Sequence, residues 1–357
     1  MGTKGKRMAG KEEKPEKIRK NKKEKQGRKA KSKMSLAKKI IIALLGIILI
    51  FAIIFGILVY FASTILGKIG FERLDESQLS LNDVYSEVSD QVSKQEFDSI
   101  KNIALLGIDG GRSDSMIIAS VNQTDHTIKL ISIPRDTYVK VEGYGKTKIN
   151  HAYAYGKETL ALRTINENFG LNISEYITIN FKGLINIINK IGGIELNITK
   201  EEMNYINNNS ANSYSLTKKP VKKVTTYGKV TLTGEQALTH ARNRTVGNDF
   251  VREERQRTVI TAVIEKVSKL GLAEILGLSD SILSEVKTNL NIAEWTGILT
   301  GALGYKNEYL SNIISKQIPS DEKGNGSGRG QMINEIYYFV VDLEEASRAF
   351  KNTIYGE

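Results

Sequence analysis

Three short runs of apolar residues, separated by polar corners, lie between Ile103 and Asp136. The runs 103–108, 116–121 and 128–133 are rich in β-branched residues and are bounded by Gly, Asn, Asp or Pro. This pattern is typical of short buried strands. We therefore predict three consecutive strands whose ends place charged residues at the corners.

After Asp136 the chain alternates between strand-like and helix-like patterns. The predicted strands cover 138–142, 176–181, 194–198 and 337–341. The predicted helices cover 151–169 (closed by Gly170), 184–191 (ended by Gly192 and Gly193), a helix starting after Thr233, 249–270, and further segments over 273–303. A corner is expected at 146–150, a surface loop at 204–223 and a flexible loop at 320–330. Alternating strands and helices favour an α/β fold with a sheet covered by helices, and no repeat of 20–50 residues is visible.

Residues 40–62 form an uncharged apolar run of 23 residues. At 1.5 Å per residue a helix of this length spans about 35 Å, enough to cross a bilayer with some tilt. A cleaved signal peptide is the alternative, but the run exceeds the usual apolar core of about 7–15 residues and no clear cleavage site follows. Basic residues precede the run, so we predict a single-pass cell-membrane protein with a cytoplasmic N-terminus and an extracellular C-terminal domain.

The net charge of +11 belongs to the N-terminal tail. Residues 1–39 contain 17 of the 51 Lys and Arg residues but four of the 40 acidic ones. We predict a disordered basic cytoplasmic tail, acting as a solvated topology signal or contacting anionic membrane lipid. The rest of the chain is slightly acidic, so no nucleic-acid partner is expected. With no cysteine, disulfides and thiolate metal sites are excluded.

The predicted domain organisation therefore has four parts. A cytoplasmic tail (1–39) and a transmembrane helix (40–62) precede a polar extracellular stalk (63–98), which is expected to be partly helical. An extracellular domain (99–357) contains the strands described above, the later helices and the last strand. Any chemistry is expected in this last part.

Two corners of the first three strands combine acids with arginine. Asp109, Arg112 and Asp114 follow the first run, and Arg135 and Asp136 follow the third. Paired carboxylates near a strand end suit Mg²⁺, and guanidinium groups suit phosphate. The plainer interpretations are an Asp- and Gly-rich turn for the first corner and a local ion pair for the second.

A third charged segment lies between residues 242 and 256. Arg242 and Arg244 are two apart, so both can face one ligand only if a helix ends there or the chain is extended. Asp249, Arg252 and Gln256 fall on one stripe of a helix, for which a solvated face is the alternative interpretation. Phosphate-loop, zinc-protease and serine-hydrolase motifs are absent, and the three histidines show no metal-ligand spacing.

Five segments in this order resemble the LytR–CpsA–Psr family: LLGIDGGRSDS, SIPRDTYV, KINHAYAYG, TGEQALTHARNR and NDFVREERQR. The resemblance covers residues 99–264. Family members are bacterial cell-envelope enzymes that move a glycopolymer from a polyprenyl (undecaprenyl) pyrophosphate carrier onto peptidoglycan. The resemblance implies an α/β/α sandwich with a central mixed sheet and an apolar channel for the prenyl tail.

The resemblance also implies roles for individual residues. Asp109 and Asp114 match the family's Mg²⁺ ligands, with Mn²⁺ as a substitute. The residues that match its pyrophosphate-binding positions are Arg112, Arg135, Arg242, Arg244, Arg252 and Gln256. Arg135, Arg242, Arg244 and Asp249 are the implied catalytic residues, and the proton acceptor stays open between Asp249, Asp109 and water.

The implied activity is a Mg²⁺-dependent phosphotransferase whose partners are the lipid-linked glycan, the peptidoglycan acceptor and membrane lipid. Wall teichoic acid, capsule and other glycans are all candidate polymers. A non-catalytic binder of lipid-linked glycan, or a regulator of envelope genes, is the alternative. A DNA-binding regulator acting through residues 1–39 is a third hypothesis, which the lack of any folding pattern in that tail disfavours.

Overall fold

The computed structural model describes residues 70–210, 220–245, 249–270, 285–291 and 304–356, together with Glu274 and Glu294. The predicted tail (1–39), the predicted membrane span (40–62) and the beginning of the predicted stalk lie outside these residues. Within the described part of the chain, no helix has the length and apolar character needed to cross a membrane.

The strands, in chain order, are β1 (Gly70–Phe71), β2 (Ile100–Asp109), β3 (Arg112–Asn122), β4 (Thr127–Ser132), β5 (Tyr138–Val141), β6 (Gly145–Lys148), β7 (Glu175–Asn180), β8 (Ile194–Ile198), β9 (Gly228–Leu232), β10 (Val286–Thr288), β11 (Ile313–Gln317), β12 (Arg329–Ile333) and β13 (Ile336–Val340). The helices are α1 (Val84–Val88), α2 (Lys94–Ser99), α3 (His151–Phe169), α4 (Phe181–Lys190), α5 (Lys200–Asn209), α6 (Gly234–Ala241), α7 (Asp249–Ser268), α8 (Lys306–Ser311) and α9 (Leu343–Tyr355).

A seven-stranded mixed sheet has the order β1-β10-β7-β2-β3-β4-β11. The three predicted consecutive strands form its antiparallel centre, β2-β3-β4, while β7 pairs with β2 and β11 pairs with β4 in parallel. Three two-stranded antiparallel sheets, β5-β6, β8-β9 and β12-β13, complete the described strands. The central mixed sheet predicted for this chain is confirmed.

Helices cover both faces of the sheet because successive side chains of each strand point to opposite sides. On one face, the buried strand residues that share a core with α3 and α9 include Ala104, Leu106, Met116 and Ile118. On the other face, the residues that pack together with Ile260 of α7 are Ile117, Ala119 and Leu130. A further core joins α4, α6 and α7. The described residues therefore form three layers, α/β/α.

The predicted helix ends agree with the structure where local chemistry determines them. Gly170 ends α3 with a φ of 61°, a conformation that glycine adopts without strain, and its N–H donates to the carbonyl of Asn166. Thr233 and Gln236 form a capping box at the start of α6, each side chain accepting from the other residue's backbone N–H.

Three local predictions were wrong. The corner at 146–150 contains β6, which pairs with β5. Part of the surface loop at 204–223 is the second half of α5, whose capping box joins Thr199 and Glu202 and whose Ile206 is fully buried. Residues 286–288, within the stretch predicted as helical, form strand β10; the rest of that stretch lies almost wholly outside the described residues.

The predicted stalk (63–98) differs from the structure over its second half. Leu79, Val84, Val88 and Val92 are all buried in the same core as α3 and α9. The amide of Asn82 donates to the carbonyl of Leu171 at 2.6 Å and ties this segment to the domain. Residues 79–92 therefore belong to the folded domain, because their sparse apolar residues share one buried face.

Candidate active site

The end of the β2-β3 hairpin carries the first two predicted acids. The pairing register shifts between Gly107 and Ile108, which face Ser115 and Ser113, so that Asp114 stands opposite no residue of β2. Such a bulge turns a side chain away from the regular alternation of the strand. Asp109 and Asp114 are consequently placed at one edge of the sheet, the edge at which β4 also ends.

Arg135, three residues after β4, joins this edge. Its Nη1 donates to Oδ1 of Asp114 at 2.9 Å, and its Nε lies 3.5 Å from Oδ2 of Asp136. Lys148 of β6 lies 2.7 Å from the other oxygen of Asp136. Positive and negative side chains thus alternate from Asp114 to Lys148. The distance from Arg135 to Asp136 within the turn is longer than its distance to Asp114, so a purely local ion pair does not describe the corner.

Helix α6 ends at Ala241, directly before Arg242, so Arg242 and Arg244 are not both part of the helix. Arg242 caps the helix, with its N–H donating to the carbonyl of Leu238 at 3.0 Å. Arg244 therefore follows in non-helical chain, and both arginines face one cavity. This is the condition under which the spacing allows them to share a ligand.

Arg242 contacts two other elements across the cavity edge. Its Nη2 lies 3.2 Å from Oδ2 of Asp109, and its guanidinium group lies 4.7 Å from the centre of the Phe181 ring. An arginine over an aromatic face is attracted by the ring's quadrupole. The side chain is half exposed, so it is held in place while remaining accessible to a ligand.

Helix α7 supplies Arg252 and Gln256, which lie one turn apart and face the same cavity. Arg252 is 3% exposed, and Nη2 of this residue lies 3.9 Å from Oε1 of Glu253. Its guanidinium group is therefore buried beside an acid and also lines the cavity.

Arg255, on another side of α7, holds the neighbouring elements in place. Its Nε lies 2.7 Å from Oε1 of Glu202 on α5, and its Nη1 donates to the backbone carbonyl of Asn243 at 3.2 Å. Asn243 is the residue between Arg242 and Arg244. The buried pair of Arg255 and Glu202 therefore fixes the segment that carries both arginines.

His240 is buried beside the same pair, with Nδ1 4.0 Å from Oε1 of Glu202. Burial is the main cause that lowers the pKa of His240 to about 4; Arg255 lowers it further and Glu202 opposes both. The imidazole is therefore neutral at pH 7. It packs behind the site and is not among the residues that line the cavity.

The cavity between these elements has a volume of about 330 Å³. Its lining residues are Asp114, Arg135, Phe181, Tyr205, Asn209, Thr239, Arg242, Arg244, Arg252 and Gln256. Among the described residues that line the cavity, four guanidinium groups face a single carboxylate. Planar guanidinium forks bind phosphate oxygens in pairs, and polyphosphate groups can use several such forks at once. The cavity is therefore suited to a compact, multiply charged phosphate group.

Most of the predicted site residues come together here. Those lining the cavity are Asp114, Arg135, Arg242, Arg244, Arg252 and Gln256. Asp109 contacts Arg242 at the edge, whereas Arg112 is exposed at the tip of the hairpin and is not among the lining residues. Asp249 begins α7, and its side chain lies outside the described residues.

Four lining residues were missed by sequence reasoning. Phe181 follows Asn180, which pairs with Ile108 in the parallel β2-β7 ladder, so strand order is the signal that would place it near Asp109. Tyr205 and Asn209 lie one turn apart on α5. The second half of this helix was predicted as a loop because it is rich in Asn. Thr239 lies one turn before Arg242 and faces the same side.

The donor chemistry of the two acids fits Mg²⁺. No group of three or more His, Asp or Glu side chains suited to a metal occurs in the described parts of the chain. Mg²⁺ needs no such cage, since it is commonly held by one or two carboxylates together with substrate phosphates and water. Asp109 and Asp114, each beside a phosphate-suited arginine, provide that donor set.

This chain is similar to a known family and to several named proteins and solved structures. The LytR_cpsA_psr family model matches residues 72–354. The polyisoprenyl-teichoic acid–peptidoglycan teichoic acid transferase TagU of Enterococcus faecalis is 33% identical over 319 residues, 84% of this chain and 94% of that protein. Among solved structures, "TagT bound to LIIa-WTA" has a TM-score of 0.58 at 26% identity, covering 75% of this chain and 97% of the other. "LytR-CPS2A-psr family protein YwtF (TagT) with bound octaprenyl pyrophosphate lipid" has a TM-score of 0.52, with the same identity and coverage.

Proposed function

Since this chain belongs to the LytR–CpsA–Psr family, we propose that it is a membrane-anchored extracellular phosphotransferase. It moves a glycopolymer from a polyprenyl pyrophosphate carrier onto peptidoglycan. The observation that carries the proposal is the cavity in which Arg135, Arg242, Arg244 and Arg252 converge. The relative from Enterococcus faecalis is named as a teichoic acid transferase, so teichoic acid is the first polymer to test, before capsule or other glycans.

The four arginines bind the pyrophosphate of the donor. Their guanidinium groups offer paired N–H donors to its oxygens and balance its negative charge. An acceptor hydroxyl attacks the phosphorus that carries the glycan, and the bond from that phosphorus to the bridging oxygen breaks. Prenyl monophosphate leaves and a phosphodiester remains. Donors already fixed in position stabilise the charge that develops on the leaving group without reorganising during the reaction.

Asp109 and Asp114 are the proposed ligands of Mg²⁺, with Mn²⁺ as a substitute. When bound, the ion supplies further positive charge beside the phosphate oxygens. The same carboxylates contact Arg242 and Arg135, at 3.2 Å and 2.9 Å. They therefore also orient the arginines before the donor arrives.

The proton of the acceptor hydroxyl passes to Asp249, to Asp109 or to water. Asp249 is the first residue of the helix that carries Arg252 and Gln256. Gln256 offers an amide that hydrogen bonds to phosphate or sugar oxygens without adding charge.

A membrane anchor at residues 40–62 would keep this domain beside its lipid substrate. A reporter that is active only outside the membrane, fused after residue 357, tests the proposed topology. Activity of the fusion supports an extracellular domain; activity of a cytoplasmic reporter at the same position contradicts it.

Release of prenyl monophosphate tests the proposed activity. Full-length protein in detergent is incubated with a glycan-loaded polyprenyl pyrophosphate, peptidoglycan and Mg²⁺, and the released lipid is measured by mass spectrometry. Arg135→Ala should abolish release, whereas Arg163→Ala should not, since Arg163 pairs with Glu167 on the surface of α3. Donor binding without release by the wild type would instead support a non-catalytic glycan binder.

A further inference from the structure

Two exposed tyrosines and two partly buried basic side chains lie near the arginine cavity, and the proposed reaction gives them no role. Tyr144 of the β5-β6 turn stacks on Tyr155 of α3, with ring centres 4.1 Å apart and planes 15° from parallel. The two tyrosines are 54% and 44% exposed. His151 lies one helical turn before Tyr155, with ring centres 5.8 Å apart. We call Tyr144, Lys148, His151 and Tyr155 the aromatic rim.

Two glycines flank Tyr144 in the β5-β6 turn. Gly143 and Gly145 have φ values of 77° and 75°, a region that other residues adopt only with strain, so they shape the turn that exposes Tyr144. The Tyr144 ring is held by its stacking on Tyr155. A ring held in this way loses less freedom when a ligand stacks on it, and this favours binding.

Lys148 connects the rim to the cavity. It lies 2.7 Å from Asp136, which lies 3.5 Å from Arg135, a residue that lines the cavity. The hydroxyl of Thr147 lies 2.8 Å from Nδ1 of His151, which fixes the imidazole beside the strand that carries Lys148. Through Asp136 and Arg135, the Lys148 end of the rim therefore lies near the cavity.

Positive charges also lie near the rim. Burial is the main cause that lowers the pKa of His151, and the positive charges of Arg112 and Lys148 lower it further against the opposing effect of Asp136. Arg112, which is absent from the cavity lining, is thus one of the charges close enough to His151 to lower its pKa. Exposed rings beside cations fit a ligand that has flat apolar faces and carboxylates.

We propose that the aromatic rim binds the glycan strand of the peptidoglycan acceptor, an inference that rests on the proposed function. The pyranose rings of such a strand present flat C–H faces that stack on tyrosine. Its muramic acid units carry acidic substituents, which complement Lys148 and Arg112. A teichoic acid chain is linked through phosphates and presents charge rather than a row of ring faces. We therefore assign the rim to the acceptor and the cavity to the donor.

Co-sedimentation with peptidoglycan tests the proposal. Full-length protein in detergent is mixed with purified sacculi from which attached glycopolymers have been removed. The double variant Tyr144→Ala/Tyr155→Ala should bind about fivefold more weakly or worse, since each stacked ring is worth up to roughly a tenfold change in affinity. Tyr144→Phe should retain binding, because the ring face remains.

A matched control is available on another part of the surface. Tyr305 is 50% exposed and stacks on His126 with ring centres 3.8 Å apart, so Tyr305→Ala removes a similar ring pair. It should leave sedimentation unchanged. If the double variant does not fold, Tyr144→Ala alone still tests the rim, because its ring projects from an exposed turn.

The outcomes separate this inference from the proposed function. If the wild type releases no prenyl phosphate, the proposed function fails, while loss of sedimentation in the rim variants still supports glycan binding. If the wild type is active and the rim variants sediment and transfer as it does, the inference is overturned. It is also overturned if the variants keep sacculus binding but lose binding to vesicles containing anionic phospholipid, since the rim then contacts the membrane.

Discussion

Arg255 donates a hydrogen bond to the backbone carbonyl of Asn243, the residue that separates Arg242 from Arg244. The same guanidinium group is paired with Glu202 of α5. Through this one side chain, α7 fixes the chain segment that turns two arginines toward the cavity. We infer that Arg255 is a positioning residue, although it does not itself line the site.

Replacing Arg255 with lysine should remove one of its two contacts described above and keep the other. Lysine can keep the ion pair with Glu202 but lacks the planar fork that also reaches Asn243. We expect the KM for the lipid-linked donor to rise about tenfold, the scale of one hydrogen bond from a charged group, with a smaller change in kcat. Steady-state kinetics, with thermal unfolding as the check on folding, measures this. An unchanged KM in a folded variant would contradict the positioning role.

Arg135→Lys should lower kcat more than it raises KM. Arg135 contacts Asp114 and faces the cavity, where a fixed guanidinium group stabilises charge that forms during the reaction. Loss of one such donor reduces kcat by about 10²–10³-fold in other enzymes. Single-turnover release of prenyl phosphate provides the measurement, and Arg163→Lys on the surface of α3 provides the control. Equal rates for the two variants would exclude this role for Arg135.

Substitution of the two acids should alter the requirement for divalent ions. We expect activity to disappear with a chelator and return with Mg²⁺. Asp109→Asn or Asp114→Asn should raise the Mg²⁺ concentration for half-maximal activity by at least about tenfold. Mutation of a residue that only hydrogen bonds to a metal ligand already weakens metal binding by that amount. Calorimetric Mg²⁺ titration of the full-length protein with bound donor gives a second readout. Activity that is indifferent to chelation would contradict the metal assignment.

His240 should make the folded state sensitive to mild acid. Its pKa is about 4 in the folded protein, below the ordinary value of 6.5, because it is buried between Glu202 and Arg255. The unfolded state therefore binds more protons between these values, and the stabilisation present above pH 6.5 is lost as the pH falls toward 4. From pH 7 to 5 the loss is on the order of 2 kcal/mol.

The variant His240→Phe should show a smaller loss of stability over this range. Denaturant unfolding at pH 7 and pH 5 compares the two proteins, and His126→Phe provides a control, because His126 lies in a turn beside Tyr305. Parallel pH dependence of wild type and His240→Phe would show that another group is responsible.

Local chemistry explains the parts of the fold that the sequence predicted. Thr233 and Gln236 form a capping box, which identified the start of α6. The spacing of Arg242 and Arg244 allowed both to face one ligand only if a helix ended there or the chain was extended, and the helix does end there. Both observations depend on residues within one or two helical turns of the ends of α6. The β-branched runs likewise gave β2, β3 and β4, because each strand is buried on both faces.

Contacts between distant segments explain what was missed. Asp109 and Arg242 lie 3.2 Å apart although 133 residues separate them, and only the order of strands brings Phe181 beside them. Tyr205 lies in an Asn-rich segment whose helix is stabilised by burial of Ile206, a tertiary effect that composition does not reveal. The segment around Val88 was predicted as a stalk for the same reason.

The fate of the phosphorus attached to the glycan tests the central proposal most directly. Donor labelled at that phosphorus is incubated with full-length protein, peptidoglycan and Mg²⁺, and the product is digested with a muramidase and examined by mass spectrometry. We predict label in a phosphodiester between the glycan and a muropeptide, with one prenyl monophosphate released per bond formed and none with Arg135→Ala. Label that stays on intact donor bound to the protein would contradict a transferase and identify a binding protein instead.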